Sequence, residues 1–96
     1  MSKQVDLKEQ ILSGAWRDLK PHWEEGRLLS IAIDLDLVAV GEAVRDDDTD
    51  QVQYWIAQDS LIRPSVHQVE SWDSNPDRLF RFLIVQPYVL MQDQAH

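Results

Sequence analysis

The sequence predicts an α+β fold: a single small domain of about four helices packed on a small sheet of two to four strands. Three observations predict it. The C-terminal run Leu79 to Gln92 is apolar, β-branched and aromatic, with Pro87 in its middle. It reads as one long broken strand or two short ones that another surface must cover. Upstream of it, several stretches carry apolar residues at helical spacing behind capping residues. Finally, 96 residues with no internal repeat and no low-complexity linker make one domain.

Between Asp6 and Lys20, the residues Leu7, Ile11, Leu12, Ala15, Trp16 and Leu19 recur at helical spacing. Asp6 and Glu9 stand as a capping box, and Pro21 closes the helix. Gly14 weakens such a helix unless it permits a close contact. The polar segment Pro21 to Gly26 reads as a loop, and Leu28 to Ile33 as a strand. Asp34 or Asp36 caps a second helix running to about Arg45, with Leu37, Val40, Gly41 and Val44 facing inward. Asp46, Asp47 and Asp48 break it. Asp48 or Thr49 caps a third helix that turns Val52, Trp55 and Ile56 inward. Leu61 and Ile62 are extended, because Pro64 pushes Arg63 away from helix. Ser65 and Gln68 form a capping box that opens a fourth helix through Trp72. Pro87 cannot donate to a ladder and therefore belongs at an edge, a bulge or a turn. Residues 1–5 and 93–96 are expected to fray.

Composition narrows the function classes. There is no cysteine, hence no disulfide, no thiolate metal site and no cysteine nucleophile. The N-terminus carries no apolar signal segment, and no apolar run approaches the roughly 20 residues of a membrane helix. The expectation is a soluble, cytoplasmic protein without membrane contact. Charge is segregated. Between Asp34 and Asp59 stand eight acidic residues and one basic residue, Arg45, so this segment holds −7 of the net charge of −8. A single-sign field repels nucleic acid and suits a basic partner. The order of elements superficially fits a winged-helix DNA reader. The reader helix would be the third, and it has no Lys or Arg, so no nucleic-acid partner is expected.

Several segments together look familiar. These are Trp16 with Lys20-Pro21-His22; Asp34-Leu35-Asp36-Leu37-Val38 leading to Val40-Gly41; Gln51-Val52 with Trp55-Ile56; Arg63-Pro64-Ser65; Trp72; and above all Leu83-Ile84-Val85-Gln86-Pro87-Tyr88-Val89-Leu90. Over nearly its whole length the chain resembles a family of small uncharacterised bacterial proteins, a domain of unknown function. The resemblance implies a bacterial source and a shared fold, and it carries over no catalytic residue. Where such proteins tend to have a Gly closing the third helix, this chain has Asp59, a poorer left-handed cap.

The site candidates are few. His22 beside Glu24 and Glu25 has the chemistry of a general base or metal ligand, although adjacent residues rarely converge on one point. Trp23, in the polar loop, is the best candidate for an exposed aromatic contact. Trp16 and Trp55 fall on apolar stripes and read as core, whereas Trp72 leaves both readings open. Asp34 and Asp36 suit a divalent cation, but capping explains them more simply. Gln86 and Tyr88 suit ligand reading, but polar groups at a bulge explain them as well. Asp46, Asp48 and Asp50 open like a calcium loop. The loop would need Gly and Glu where the chain has Gln51 and Ala57, so the run reads as a solvated turn. No glycine-rich phosphate loop and no nucleophile elbow is present, and no cofactor, metal or catalytic residue is assigned.

The composition and motifs therefore point to a non-catalytic module. It would bind a protein, basic in charge, or self-associate into a homo-oligomer, through the C-terminal strand edge or the acidic helix pair. The alternative is a small-ligand or metal-binding protein or enzyme, using the loop at 22–25 or the helix start at 34–36.

Overall fold

The computed structural model describes residues 7–93. A 3₁₀ turn (Leu7–Gln10) leads into β1 (Leu12–Ala15), α1 (Trp16–Glu24) and β2 (Leu28–Ile31). Then follow α2 (Leu37–Arg45), α3 (Thr49–Ala57), β3 (Leu61–Ile62), α4 (Val66–Asp73), β4 (Leu79–Val85) and β5 (Tyr88–Asp93). The sheet order is β1-β4-β5-β2-β3, antiparallel except for the parallel pair β2–β5. The α+β class and the four helices match the expectation, while the five strands exceed it by one.

Helices cover both faces of this sheet, which gives two cores. On one face Leu83, Val85, Leu90, Ile31 and Leu61 pack against Leu37 and Val40 of α2 and against Leu7. On the other, Phe80, Val89, Met91 and Leu28 pack against Trp16 and Leu19 of α1 and Val69 of α4. Alternation along β4 and β5 sends successive side chains to opposite cores. That double burial explains why the C-terminal run is almost continuously apolar.

The first helix differs from its expectation. The span expected as one helix is a 3₁₀ turn, then a strand, and only then a helix. Leu7 and Ile11 join one core, while Trp16 and Leu19 join the other. Gly14 lies in β1, where a Cβ would stand 2.8 Å from the ring of Phe82. The glycine therefore serves a close strand contact. Pro21 does not end α1 but lies inside it. It lacks the N–H that would bond back to the preceding turn. Packing of Trp16, Leu19 and Trp23 outweighs that loss.

Caps elsewhere are as expected. The Asp36 carboxylate accepts from the Val38 N–H at 3.0 Å, and Asp48 accepts from the Gln51 N–H at 3.3 Å. Ser65 and Gln68 complete their capping box. The C-terminal run is a hairpin, turning at a cis Gln86–Pro87 peptide bond. Its strands are interior in the sheet order, but β1 pairs only with Leu79 to Phe82, so of the edge expected at Leu83 to Leu90 the stretch Leu83 to Val85 keeps one side without a strand partner among the described residues. The edges are the short β1 and the two-residue β3. Asp93, expected to fray, is the last residue of β5. It pairs with Phe80 and forms an ion pair with Arg78. The other residues expected to fray, 1–5 and 94–96, lie outside the described residues.

Candidate functional site

The site candidates divide between the two ends of β2. His22 and Trp23 precede it, in the last turns of α1, while Asp34 and Asp36 follow it at the entry to α2. The strand Leu28–Ile31 lies between them in the chain.

Trp23 does not project as a free contact. It is half-buried against the α1–α4 core, and its indole N–H donates to the Pro64 carbonyl at 2.9 Å. The reason is that its segment is helical and so aims it at the same face as Trp16 and Leu19. His22 is half-buried as well, and its Nδ1 has no hydrogen-bond partner among the described residues. Beside it, Gly26 takes a φ of +78° and accepts from the Arg63 guanidinium at 2.9 Å, tying this loop to the segment after β3. Asp34 is exposed in the turn, and Asp36 is occupied as a helix cap. Gln86 is exposed at the hairpin turn. Among the described residues no group of three or more His, Cys, Asp or Glu is placed to hold a metal ion.

Two polar anchors hold the frame around these positions. Gln92 is the buried polar residue of β5, and its amide donates to the Ala32 and Leu35 carbonyls at 2.8 and 2.7 Å while its oxygen accepts from Arg81. It thereby ties down the turn that leads to the Asp36 cap. Asp73 accepts from the Trp16 indole at 2.8 Å and from Lys20 at 3.1 Å. The indole bond first, and Lys20 second, hold its carboxyl below the usual carboxylate range. Trp72 packs 4.9 Å from Trp16 and 5.3 Å from Phe80, centroid to centroid, which makes it part of the core.

Tyr88 lines a cavity. It stands at the mouth of a cleft of about 360 Å³ between α3 and the sheet. The floor is Leu29 and Leu61, and the walls are Ala43 and Val44 of α2 and Val52, Gln53 and Ile56 of α3. Asp47, Asp48 and Thr49 close one end. The origin of the cleft is steric. Gly41 lets α2 sit tightly on the sheet, since a Cβ there would lie 2.6 Å from Leu83 and 3.2 Å from Leu7. Asp47, at φ +58°, then turns the chain, and none of the residues of α3 is fully buried. The strand beneath it, β3, is only two residues long.

The rim is acidic. Asp46, Asp47, Asp48 and Asp50 crowd the α2–α3 turn, all of them exposed. The one cation of this segment, Arg45, is held by Asp46 at 2.9 Å, and that guanidinium pulls the Asp46 carboxyl below its ordinary range. Ile56, expected to face inward, is 49% exposed on the cleft wall, while Trp55 is half-buried against the core. The sequence carries one faint signal for this. Beside the stripe of Val52, Trp55 and Ile56, the third helix carries a further aromatic residue, Tyr54, so its apolar residues crowd its last turn.

Fold and cleft together describe a small α+β domain with an acidic groove on one sheet face. The chain belongs to the family described as protein of unknown function (DUF2288), whose model matches residues 3–93. It is similar over its whole length to PA1075 from Pseudomonas aeruginosa, known from an NMR solution structure. The identity is 27% and the TM-score 0.83, covering 100% of this chain and 93% of that one. No curated protein matches the chain. No helix among the described residues is long and apolar enough to cross a membrane.

Proposed function

We propose that the protein is a non-catalytic interaction module whose α2–α3 face receives a basic segment of another protein. The distribution of charge carries this reading. Segment 34–59 holds −7 of the net −8. Among the described residues, six cations outside this segment are engaged within the chain: Arg17 with Asp77, Lys20 with Asp73, Arg27 with Glu25, Arg78 with Asp93, Arg63 with the Gly26 carbonyl and Arg81 with Gln92. Asp47 and Asp50 have no ion-pair partner among the described residues. A second copy of the chain therefore offers no free basic surface built from these residues, and a foreign basic partner complements the face better than a homo-oligomer does.

Selection of peptides from a random display library on the full chain tests this. The expected winners are rich in Lys and Arg, weaken as salt rises, and bind the Asp47→Asn/Asp50→Asn variant less well. Both substitutions spare the Asp48 cap, and Asn tolerates the left-handed backbone at position 47. Winners without basic residues, or binding that ignores salt and both substitutions, would remove the reading.

A further inference from the structure

The acidic face alone would attract any polycation. The cleft set into it supplies what charge lacks, a shaped apolar recess. We infer that the α2–α3 cleft is an anchor site for one large apolar side chain of the partner segment, flanked there by Lys or Arg. This inference rests on the interaction reading above and makes it specific.

Three features fit such an occupant. The recess of about 360 Å³ reaches the Leu29 and Leu61 side chains of the sheet, so an inserted group would meet carbon on the floor and on both walls. Ile56 and Tyr88, 49% and 40% exposed, are the large apolar groups left at its mouth, and an anchor would cover both. The polar end of the recess is acidic, with Asp47 and Asp48 beside the Thr49 hydroxyl, so the chain entering there is favoured if it is basic. On the other side of the α2–α3 junction a second hollow of about 300 Å³ shares Ala43 and Asp48 with the cleft. Glu42, Asp46, Gln51 and the ring of Trp55 line it, which suits a flanking Arg or Lys of the same segment.

The test uses the library-selected peptides as probes, each paired with a version in which its apolar residue is Ala. Binding is measured by fluorescence anisotropy to the wild-type chain and to two variants. Gln53→Trp fills the recess from an exposed helix position, and Ile56→Ser strips one wall, so neither removes a buried core residue. Unchanged circular dichroism confirms the fold of each. The inference predicts a loss of about tenfold or more for the Ala peptide on wild type and for the parent peptide on Gln53→Trp. Basic, salt-sensitive peptides that bind both variants as well as wild type would overturn the anchor site and leave the acidic-face reading standing. An absence of basic winners would defeat that reading and the inference with it.

Discussion

At the scale of single residues, Asp47 and Asp59 are the two non-glycine positions with positive φ among the described residues, at 58° and 59°. Each lies just past a helix end, where a left-handed residue lets the chain leave the helix. A side chain there costs energy that glycine avoids, although Asp is among the residues that tolerate it best. The two positions differ in what they serve. Asp47 lines the cleft, whereas Asp59 lines neither hollow. Asp59→Gly is therefore expected to raise stability by about 0.5–1 kcal/mol in urea denaturation, with Asp59→Asn falling between the two. A loss of stability on Asp59→Gly would show that the aspartate side chain holds the turn. Position 59 stands out in the sequence through the family resemblance. Position 47 went unnoticed, because three adjacent aspartates look alike until the backbone shows which one turns left.

At the scale of elements, the fold was legible where local chemistry decides the outcome. The Asp36, Asp48 and Ser65 caps mark their helices because a side-chain acceptor must meet an orphan N–H nearby. The first third departs from the sequence expectation for the opposite reason. Leu7, Ile11, Trp16 and Leu19 fit one helical stripe, yet they serve two cores on opposite faces of the sheet. Helical spacing cannot reveal that without the sheet. Pro21 likewise looked like a stop because the packing that holds α1 together around it is tertiary. The same tertiary logic governs Gly41. Replacing it with Ala would normally strengthen a helix, by up to about 1 kcal/mol. Here the added methyl meets the fully buried Leu83 and also Leu7, and the overpacking costs about 1–3 kcal/mol. The expected result is a net loss in thermal or urea denaturation, larger than for Gly14→Ala, where the added methyl meets the half-buried ring of Phe82 instead of a fully buried side chain. A stabilised Gly41→Ala would mean that α2 does not depend on this close approach.

At the scale of the whole molecule, the charge map was fully legible, since it needs only counting, and the cleft was not. A cleft is a mismatch between elements: a helix with no fully buried residue, a strand two residues long, and a glycine that seats the neighbouring helix deeply. None of these shows as a motif. Of the six candidate residues taken from the sequence, Tyr88 lines the cleft, while Trp23 and Asp36 are spent on the frame. The central claim is that a basic partner lands on the α2–α3 face. The most direct measurement is a chemical-shift map of the isotope-labelled chain titrated with a selected basic peptide. The moving resonances are expected to concentrate at Val44, Asp47, Val52, Ile56 and Tyr88, with the α1–α4 face still. Shifts centred on Trp23, Trp72 or the β1 edge, with the cleft silent, would contradict it.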